Sequence, residues 1–201
     1  MAPLARPLVC GRRRLGVAGP GSALHDAGKL GVENIELTAC QAAPKLAAVT
    51  DTADHVLRNR AAWDRWAADY AGPGLRLWAA AEPSWGLWNI PEAQVGLLPT
   101  DVNGRDSVEL GCGTGYISAW LARCGARPAG LDNSAAQLAT ARRMQDRFEL
   151  RFPLVHASAE RVPFADASFD LAISEYGASI WCDPCAWIPG GRPSCCARAD
   201  T

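Results

Sequence analysis

Three glycines, Gly111, Gly113 and Gly115, alternate along the stretch VELGCGTGYISAWL, where an apolar run changes into a helix-like pattern. Glycine adopts positive φ angles and lets a backbone approach a ligand closely. The N-terminus of the following helix adds N–H groups and partial positive charge, which suit a carboxylate or a phosphate. The pattern predicts a ligand-binding turn, and a tight turn without a ligand is the alternative.

Asp132 lies 21 residues beyond Gly111, at the end of the next apolar run. A carboxylate there can accept both hydroxyls of a ribose, although alone it would equally suit a helix cap or the surface. A dinucleotide fingerprint needs Gly or Ala at position 116, where this chain has Tyr116, and the phosphate-binding G-x-x-x-x-G-K-[ST] pattern is absent. We therefore predict a ligand with a ribose and no pyrophosphate, which disfavours a nucleotide-dependent oxidoreductase.

The elements that position these residues alternate between strands and helices. Ser134 is predicted to cap one helix, with Gln137 completing a capping box. Strands that alternate with helices indicate an α/β fold with an open, mostly parallel, Rossmann-like sheet and helices on both faces. The predicted strands span residues 106–110, 127–131, 153–156 and 169–174.

An aromatic helix is predicted upstream of the sheet, ending at Gly72 and Pro73. Its apolar stripe, with i, i+3, i+4, i+7 spacing, favours a core role. The segment LWAAAEPSWGLWNIPE is broken by prolines and predicts a lid-like loop, in which Trp85 and Trp88 are substrate-pocket candidates. The stripe consists of Trp63, Trp66, Ala67 and Tyr70.

Three motifs in this order, VELGCGTG, GLDNS and SAERVPFADASFDLAIS, resemble the class I S-adenosylmethionine-dependent methyltransferases of the small-molecule, type 11-like group. The resemblance covers roughly residues 55–187. It implies S-adenosyl-L-methionine as the cofactor and a small molecule as the methyl acceptor. It also implies a sheet of seven strands, of which about four are predicted here.

The resemblance also implies which residues bind the cofactor. Asp132 would hold the ribose, and Asn133 would lie beside the adenine. Ser158, with Ala159 and Glu160, stands in the turn that meets the adenine, where relatives often have Asp before the Ala-Glu pair. The methionine-side pocket would consist of Glu109, Gly111, Cys112, Gly113 and Gly115.

Other chemistry-bearing residues follow the later strands. Glu175 and Tyr176 come at the carboxyl end of the fourth strand and are substrate candidates. His156 is more typical of a core histidine than of a catalytic base. Methyl transfer from a sulfonium requires neither a metal nor a covalent enzyme intermediate, so no catalytic residue is predicted.

The cysteines favour no metal site, although the chain contains eight of them. The spacing Cys182-x-x-Cys185 followed by an adjacent Cys195–Cys196 pair fits the ligand spacing of zinc sites poorly. Without a secretory signal we expect reduced thiols and a cytoplasmic location.

The composition and the apolar periodicity of the chain predict four segments. They are an irregular leader (1–50), a helical and Trp-rich cap (51–100), the cofactor-binding core (101–187) and an irregular tail (188–201). The stretch GRPSCCARAD has the character of a shifted reading frame, so a chain that at most binds the cofactor without activity is the second interpretation.

Composition excludes several classes of partner. The net charge is −1 with both signs interspersed, which argues against nucleic acid or an anionic membrane as the partner. No apolar run is long enough to cross a bilayer. Nothing in the sequence indicates an oligomeric state.

Overall fold

A computed structural model of the chain describes residues 53–187. The predicted leader over 1–50 and the predicted tail over 188–201 lie outside the described residues, as does the hypothesis of a shifted frame. The described chain begins with a long helix, continues through a short hairpin, and then builds a parallel sheet with intervening helices.

Helix α1 spans Asp54–Ala79 and runs through Gly72 and Pro73, so the predicted end of the helix at these two residues is wrong. Proline in a helix interior removes one hydrogen bond and is costly. Tertiary packing offsets that cost, because the Trp78 side chain is buried and its Nε1 donates to the carbonyl of Thr114 (2.9 Å). Helices in proteins gain most of their stability from such packing.

The segment predicted to be a loop forms an antiparallel hairpin instead, with β1 (Ser84–Trp85) and β2 (Ile90–Pro91). The short helix α2 (Glu92–Val95) follows directly. The carboxylate of Glu92 accepts hydrogen bonds from Trp85 Nε1 (2.5 Å) and from the backbone N–H of Leu98 (2.8 Å). These bonds hold the segment in a defined conformation despite its two prolines.

The central sheet has four strands in the order β5-β4-β3-β6, and every neighbouring pair is parallel. This sheet confirms the Rossmann-like α/β prediction, and each predicted strand is present within a few residues. Val108 pairs with Ala129 on one side and with Ala172 on the other. The strands are β3 (Asp106–Leu110), β4 (Arg127–Asp132), β5 (Leu154–His156) and β6 (Leu171–Ile173).

Two crossover helices, α3 (Tyr116–Arg123) and α4 (Ala135–Phe148), connect the first three strands of the sheet. Both pack against α1, because Trp78, Ala119 and Met144 belong to one buried cluster. A second cluster joins Ile117 and Leu121 of α3 to the hairpin through Trp85. The hairpin and α1 are therefore both anchored to α3, the helix that follows the glycine turn.

Short elements complete the described chain after β5. A 3-10 turn covers Ala159–Arg161, and helices α5 (Ala178–Trp181) and α6 (Pro184–Trp187) follow β6. Across residues 53–187 there is no helix with both the length and the apolar character needed to span a bilayer.

Candidate functional site

The glycine turn between β3 and α3 has the backbone conformation that its composition predicts. Gly111, Gly113 and Gly115 all have positive φ angles, of 73°, 52° and 74°. At Gly111 a side chain is also excluded by space, because a Cβ atom would lie 2.5 Å from the backbone nitrogen of Ala178. The loop is bound to the neighbouring strand, since the N–H groups of Gly111 and Cys112 both donate to the carbonyl of Leu131.

The other two glycines differ in what surrounds them. A Cβ atom at Gly113 would meet only Gln137 Oε1, at 3.9 Å, so this glycine opens onto a cavity. A Cβ atom at Gly115 would instead face Phe152 and Ala141, at 3.5 and 3.6 Å. Gly115 therefore serves helix packing rather than the cavity wall.

Asp132 ends β4 beside this loop, and its carboxylate fixes the backbone around it. Oδ2 accepts a hydrogen bond from the N–H of Gly113 (2.7 Å), and Oδ1 accepts one from the N–H of Ser134 (2.7 Å). The carboxyl group is nearly buried, and this burial raises its pKa above the ordinary value, although the two N–H donors oppose the shift. The first bond brings the carboxyl ends of β3 and β4 together.

Glu109 lies near the end of β3 and is almost fully buried. Its Oε2 accepts hydrogen bonds from both the backbone N–H and the hydroxyl of Ser118, at 2.7 and 2.6 Å. Burial nevertheless raises the pKa of Glu109 to about 8, with smaller contributions from the nearby carboxylates of Glu175 and Asp132. One of the N–H groups in the first turn of α3 is thus occupied by Glu109.

A cavity of about 730 Å³ opens at the carboxyl ends of β3 and β4. Gly115, Trp85 and Trp88 are absent from its wall. Trp85 is buried in the core cluster with Ile117, and Trp88 is 81% exposed on the hairpin. The predicted cofactor residues in the wall are Glu109, Gly111, Cys112, Gly113, Asp132, Asn133, Ser158, Ala159 and Glu160.

Helix α1 covers one side of the cavity through polar contacts with the loops after β4 and β5. Asn133 accepts from Arg60 Nε (3.0 Å) and donates to the carbonyl of Val56 (2.9 Å). The carboxylate of Glu160 bonds His55 Nε2 (2.6 Å) and the N–H of Asp183 (2.9 Å). Asn133 and Glu160 therefore hold the cover in place as well as facing the cavity.

The hairpin closes another part of the wall through two of the four predicted substrate candidates, Glu175 and Tyr176. Glu175 Oε1 accepts from the N–H of Gly86 (2.7 Å), and the Tyr176 hydroxyl accepts from the N–H of Leu87 (3.4 Å). Burial raises the pKa of Glu175, opposed by the bond from Gly86. Tyr176 has a φ of 49°, an uncommon conformation for a residue with a side chain. Both residues line the cavity.

Several wall residues were not predicted as site residues. The helical stripe predicts a core role for Trp63 and Tyr70, yet both line the cavity. Trp63 packs edge-on against Tyr70 and Trp181, with ring centroids 5.2 and 5.4 Å apart. Gln137 was predicted only as part of a capping box. The helical spacing of Trp63 and Tyr70 indicates that they share one face of α1, but it does not indicate what that face contacts.

The remaining predictions for single residues have different outcomes. His156 is exposed and its Nε2 bonds the carbonyl of Asn133 (3.0 Å), so the prediction of a core histidine is wrong. Cys112 is buried, which raises the pKa of its thiol. Cys185 is disulfide-bonded, contrary to the expected reduced state. Within residues 53–187, no three His, Cys, Asp or Glu side chains cluster as a metal site would require.

The charges in the cavity wall suit a cationic ligand. Arg76 is the one basic side chain of the described wall, against four carboxyl groups. A positive charge inside the cavity would stabilise these carboxylates, above all the buried Glu109, whose pKa is raised mainly by burial. The four carboxyl groups belong to Glu109, Asp132, Glu160 and Glu175.

Comparison with known proteins indicates a methyltransferase domain. A family model described as a methyltransferase domain matches residues 108–187. The chain is 39% identical over 72 residues to a malonyl-[acyl-carrier protein] O-methyltransferase of Legionella pneumophila, covering 35% of this chain and 25% of that protein. It is 33% identical over 101 residues to a demethylmenaquinone methyltransferase of Corynebacterium kroppenstedtii, covering 46% of this chain and 42% of the relative.

A third relative is named for the cofactor itself. The chain is 35% identical over 71 residues to a "Probable S-adenosylmethionine-dependent methyltransferase" of Mycolicibacterium smegmatis, covering 35% of this chain and 26% of that protein. Residues 108–187 are therefore similar to a methyltransferase domain, and the matched relatives include an S-adenosylmethionine-dependent methyltransferase. The matched part of the chain spans less than half the length of each of these three relatives.

Proposed function

We propose that this chain binds S-adenosylmethionine and transfers the methyl group to a small-molecule acceptor. One observation carries the proposal: the hydrogen bond from Gly113 N–H to Asp132 Oδ2 (2.7 Å) holds the glycine loop after β3 beside the carboxylate after β4. Ligands of open α/β sheets bind at this edge. The family's cofactor requires both an open loop for its amino-acid part and an acceptor for its ribose hydroxyls at this place.

The residues of the wall suit the parts of this cofactor. The Asp132 carboxylate has more acceptor sites than its two backbone bonds use, so it can also accept from ribose hydroxyls. Glu109 would favour the ammonium group of the amino-acid end. Asn133, Ala159 and the hydroxyl of Ser158 would border the adenine, with Ser158 accepting or donating without a charge.

When bound, S-adenosylmethionine supplies a methyl carbon on a positively charged sulfur, which an acceptor lone pair attacks while the carbon–sulfur electron pair returns to sulfur. The chain must align the acceptor and exclude water. Trp63, Tyr70 and Trp181 would form an apolar side of the acceptor space. Glu175, whose pKa is raised, can receive a proton from an acceptor that arrives protonated.

The acceptor is proposed as a small molecule because the cavity of about 730 Å³ has the size of a small-molecule site. The two relatives with named acceptors differ in that acceptor, so family membership does not fix it. The near-neutral charge of the sequence also fits a protein without a nucleic-acid or anionic-membrane partner, and we propose that it acts in the cytoplasm.

Calorimetric titration of the full chain with S-adenosylmethionine, S-adenosylhomocysteine and NAD tests the proposal. We expect binding of the two adenosyl ligands and none of NAD, because Tyr116 opens α3 where a dinucleotide site needs a small residue. Tight NAD binding, or no binding of either adenosyl ligand, would overturn it. Binding followed by no methyl release to any acceptor would favour a chain that only holds the cofactor.

A further inference from the structure

The capping box predicted for α4 forms only in half. The hydroxyl of Ser134 accepts from the backbone N–H of Gln137 (3.1 Å), as expected for an N-cap. In a complete box, the Gln137 side chain would bond the backbone N–H of Ser134. That N–H donates instead to Asp132 Oδ1 (2.7 Å), so the Gln137 side chain has no role in the cap.

The side-chain oxygen of Gln137 is left buried and without a hydrogen-bond partner. Gln137 is 2% exposed, and its Oε1 is one of three buried side-chain atoms without a partner in the described part of the chain. Folded proteins pair nearly all such atoms, because an unsatisfied buried acceptor is costly. In the wall of a cavity, such an unpaired acceptor can be satisfied by a donor from a bound ligand.

The position of this oxygen points to the ligand part that would supply the donor. Gln137 belongs to the cavity wall, and its Oε1 lies on the open side of Gly113, 3.9 Å from where a Cβ atom would stand. The N–H of Gly113 is bonded to Asp132. Gln137 Oε1 and the Asp132 carboxylate thus both lie beside Gly113, at the corner of the cavity where the ribose would lie.

We propose that the Gln137 side-chain amide is a second, uncharged ribose acceptor, which takes a hydrogen bond from a ribose hydroxyl of the nucleoside ligand beside Asp132. This inference rests on the proposed function. It adds a binding residue that neither the motifs nor the family match indicates, and it explains why a polar side chain remains buried at the N-terminal turn of α4.

Two matched substitutions in α4 separate ligand binding from folding. Gln137→Met keeps the length of the side chain and removes its polar atoms. Gln145→Met makes the same change in the same helix at an equally buried residue, whose amide donates to the carbonyl of Phe152 (2.8 Å) and does not line the cavity. Both variants and the wild type are titrated with S-adenosylhomocysteine and with 5′-methylthioadenosine, and their melting temperatures without ligand are measured.

We expect Gln137→Met to raise the Kd for both nucleosides by about threefold to tenfold, as for loss of one hydrogen bond. Its melting temperature without ligand should stay the same or rise, because no intramolecular bond is lost. Gln145→Met should show the opposite pattern, with a lower melting temperature and an unchanged Kd.

An unchanged Kd in Gln137→Met overturns the inference. A loss with S-adenosylhomocysteine alone also overturns it, because 5′-methylthioadenosine keeps the ribose and lacks the amino-acid part. In both cases binding by the wild type leaves the proposed function standing. If the wild type binds neither nucleoside, the proposed function fails and this inference fails with it.

Discussion

The Oε2 atom of Glu109 accepts two hydrogen bonds from one residue, from the N–H and the hydroxyl of Ser118 at 2.7 and 2.6 Å. This pair ties the end of β3 to the first turn of α3. The two bonds do not compensate for burial, so the pKa of Glu109 stands at about 8 against an ordinary value of 4.5. The folded protein without ligand therefore keeps a proton that the unfolded chain releases at lower pH.

The raised pKa predicts how stability varies with pH. Between about pH 4.5 and 8 the unfolded chain loses this proton while the folded chain retains it, so the free energy of unfolding falls as pH rises. Glu109→Gln removes this dependence. We expect the variant without ligand to be more stable than the wild type at pH 7, by on the order of 2–3 kcal/mol, and nearly equal at pH 4. Urea unfolding at several pH values measures the difference.

Glu82→Gln is the control for this experiment, because Glu82 is an exposed carboxylate before the hairpin and should change neither the stability nor its slope. Equal slopes for the wild type and Glu109→Gln between pH 5 and 8 would show that Glu109 ionises normally in the folded protein.

Substitution of Asp132 tests the proposed contact between its carboxylate and the ribose, because loss of this contact should lower the affinity. Asp132→Ala removes the carboxylate that we propose to accept ribose hydroxyls, so binding of S-adenosylhomocysteine should weaken by about 1–3 kcal/mol. The change also frees the N–H groups of Gly113 and Ser134, so a lower melting temperature is expected as well. Calorimetry below the melting transition measures the affinity of the folded fraction, and an unchanged Kd there contradicts the assignment.

Substitution of Ser158 is expected to increase the affinity for the cofactor rather than to decrease it. The family resemblance implies Asp at this position, and Ser158 already caps the 3-10 turn by accepting from the N–H of Glu160 (3.3 Å). Asp can make the same cap and can also accept from an adenine amino group with charge assistance. We expect Ser158→Asp to lower the Kd for S-adenosylhomocysteine by about threefold to tenfold. Ser168→Asp, in an exposed loop away from the cavity, should leave the Kd unchanged.

Substitution of glycine by alanine is expected to reduce stability by different amounts at two positions of the glycine turn. Gly111→Ala and Gly113→Ala both place a side chain at positive φ, which costs about 1 kcal/mol. At Gly111 the new Cβ also meets the backbone of Ala178 and Gly177, which cannot move aside without displacing α5. We expect Gly111→Ala to lower the melting temperature clearly more than Gly113→Ala. Equal melting temperatures would contradict the packing between this loop and α5.

The sheet was predictable from sequence because its buried strands are short apolar runs with helical patterns between them. The end of α1 was not, because Gly72 and Pro73 are strong local stop signals that long-range packing overrides. The burial of Trp78 and its bond to Thr114, 36 residues away, stabilise the last turns of the helix. Local patterns carry no information about such a contact.

The residues of the candidate site also fall into those that the sequence predicts and those that it does not. Loop residues such as Gly113 and Asp132 were predicted because their chemistry is tied to the ends of successive strands. Trp63 and Tyr70 were misassigned because a helical stripe indicates a buried face without saying whether protein or a cavity covers it. Gln137 was assigned to a capping box because the competing donor–acceptor pair, Ser134 N–H and Asp132, depends on how the chain turns after β4.

A crystal structure of the full chain with S-adenosylhomocysteine tests the central claim most directly. We expect the ribose hydroxyls to lie within hydrogen-bond distance of the Asp132 carboxylate and the amino-acid end to lie over the loop from Gly111 to Gly113. An adenosyl group bound anywhere else, with Asp132 still bonded only to the backbone of Gly113 and Ser134, would contradict it.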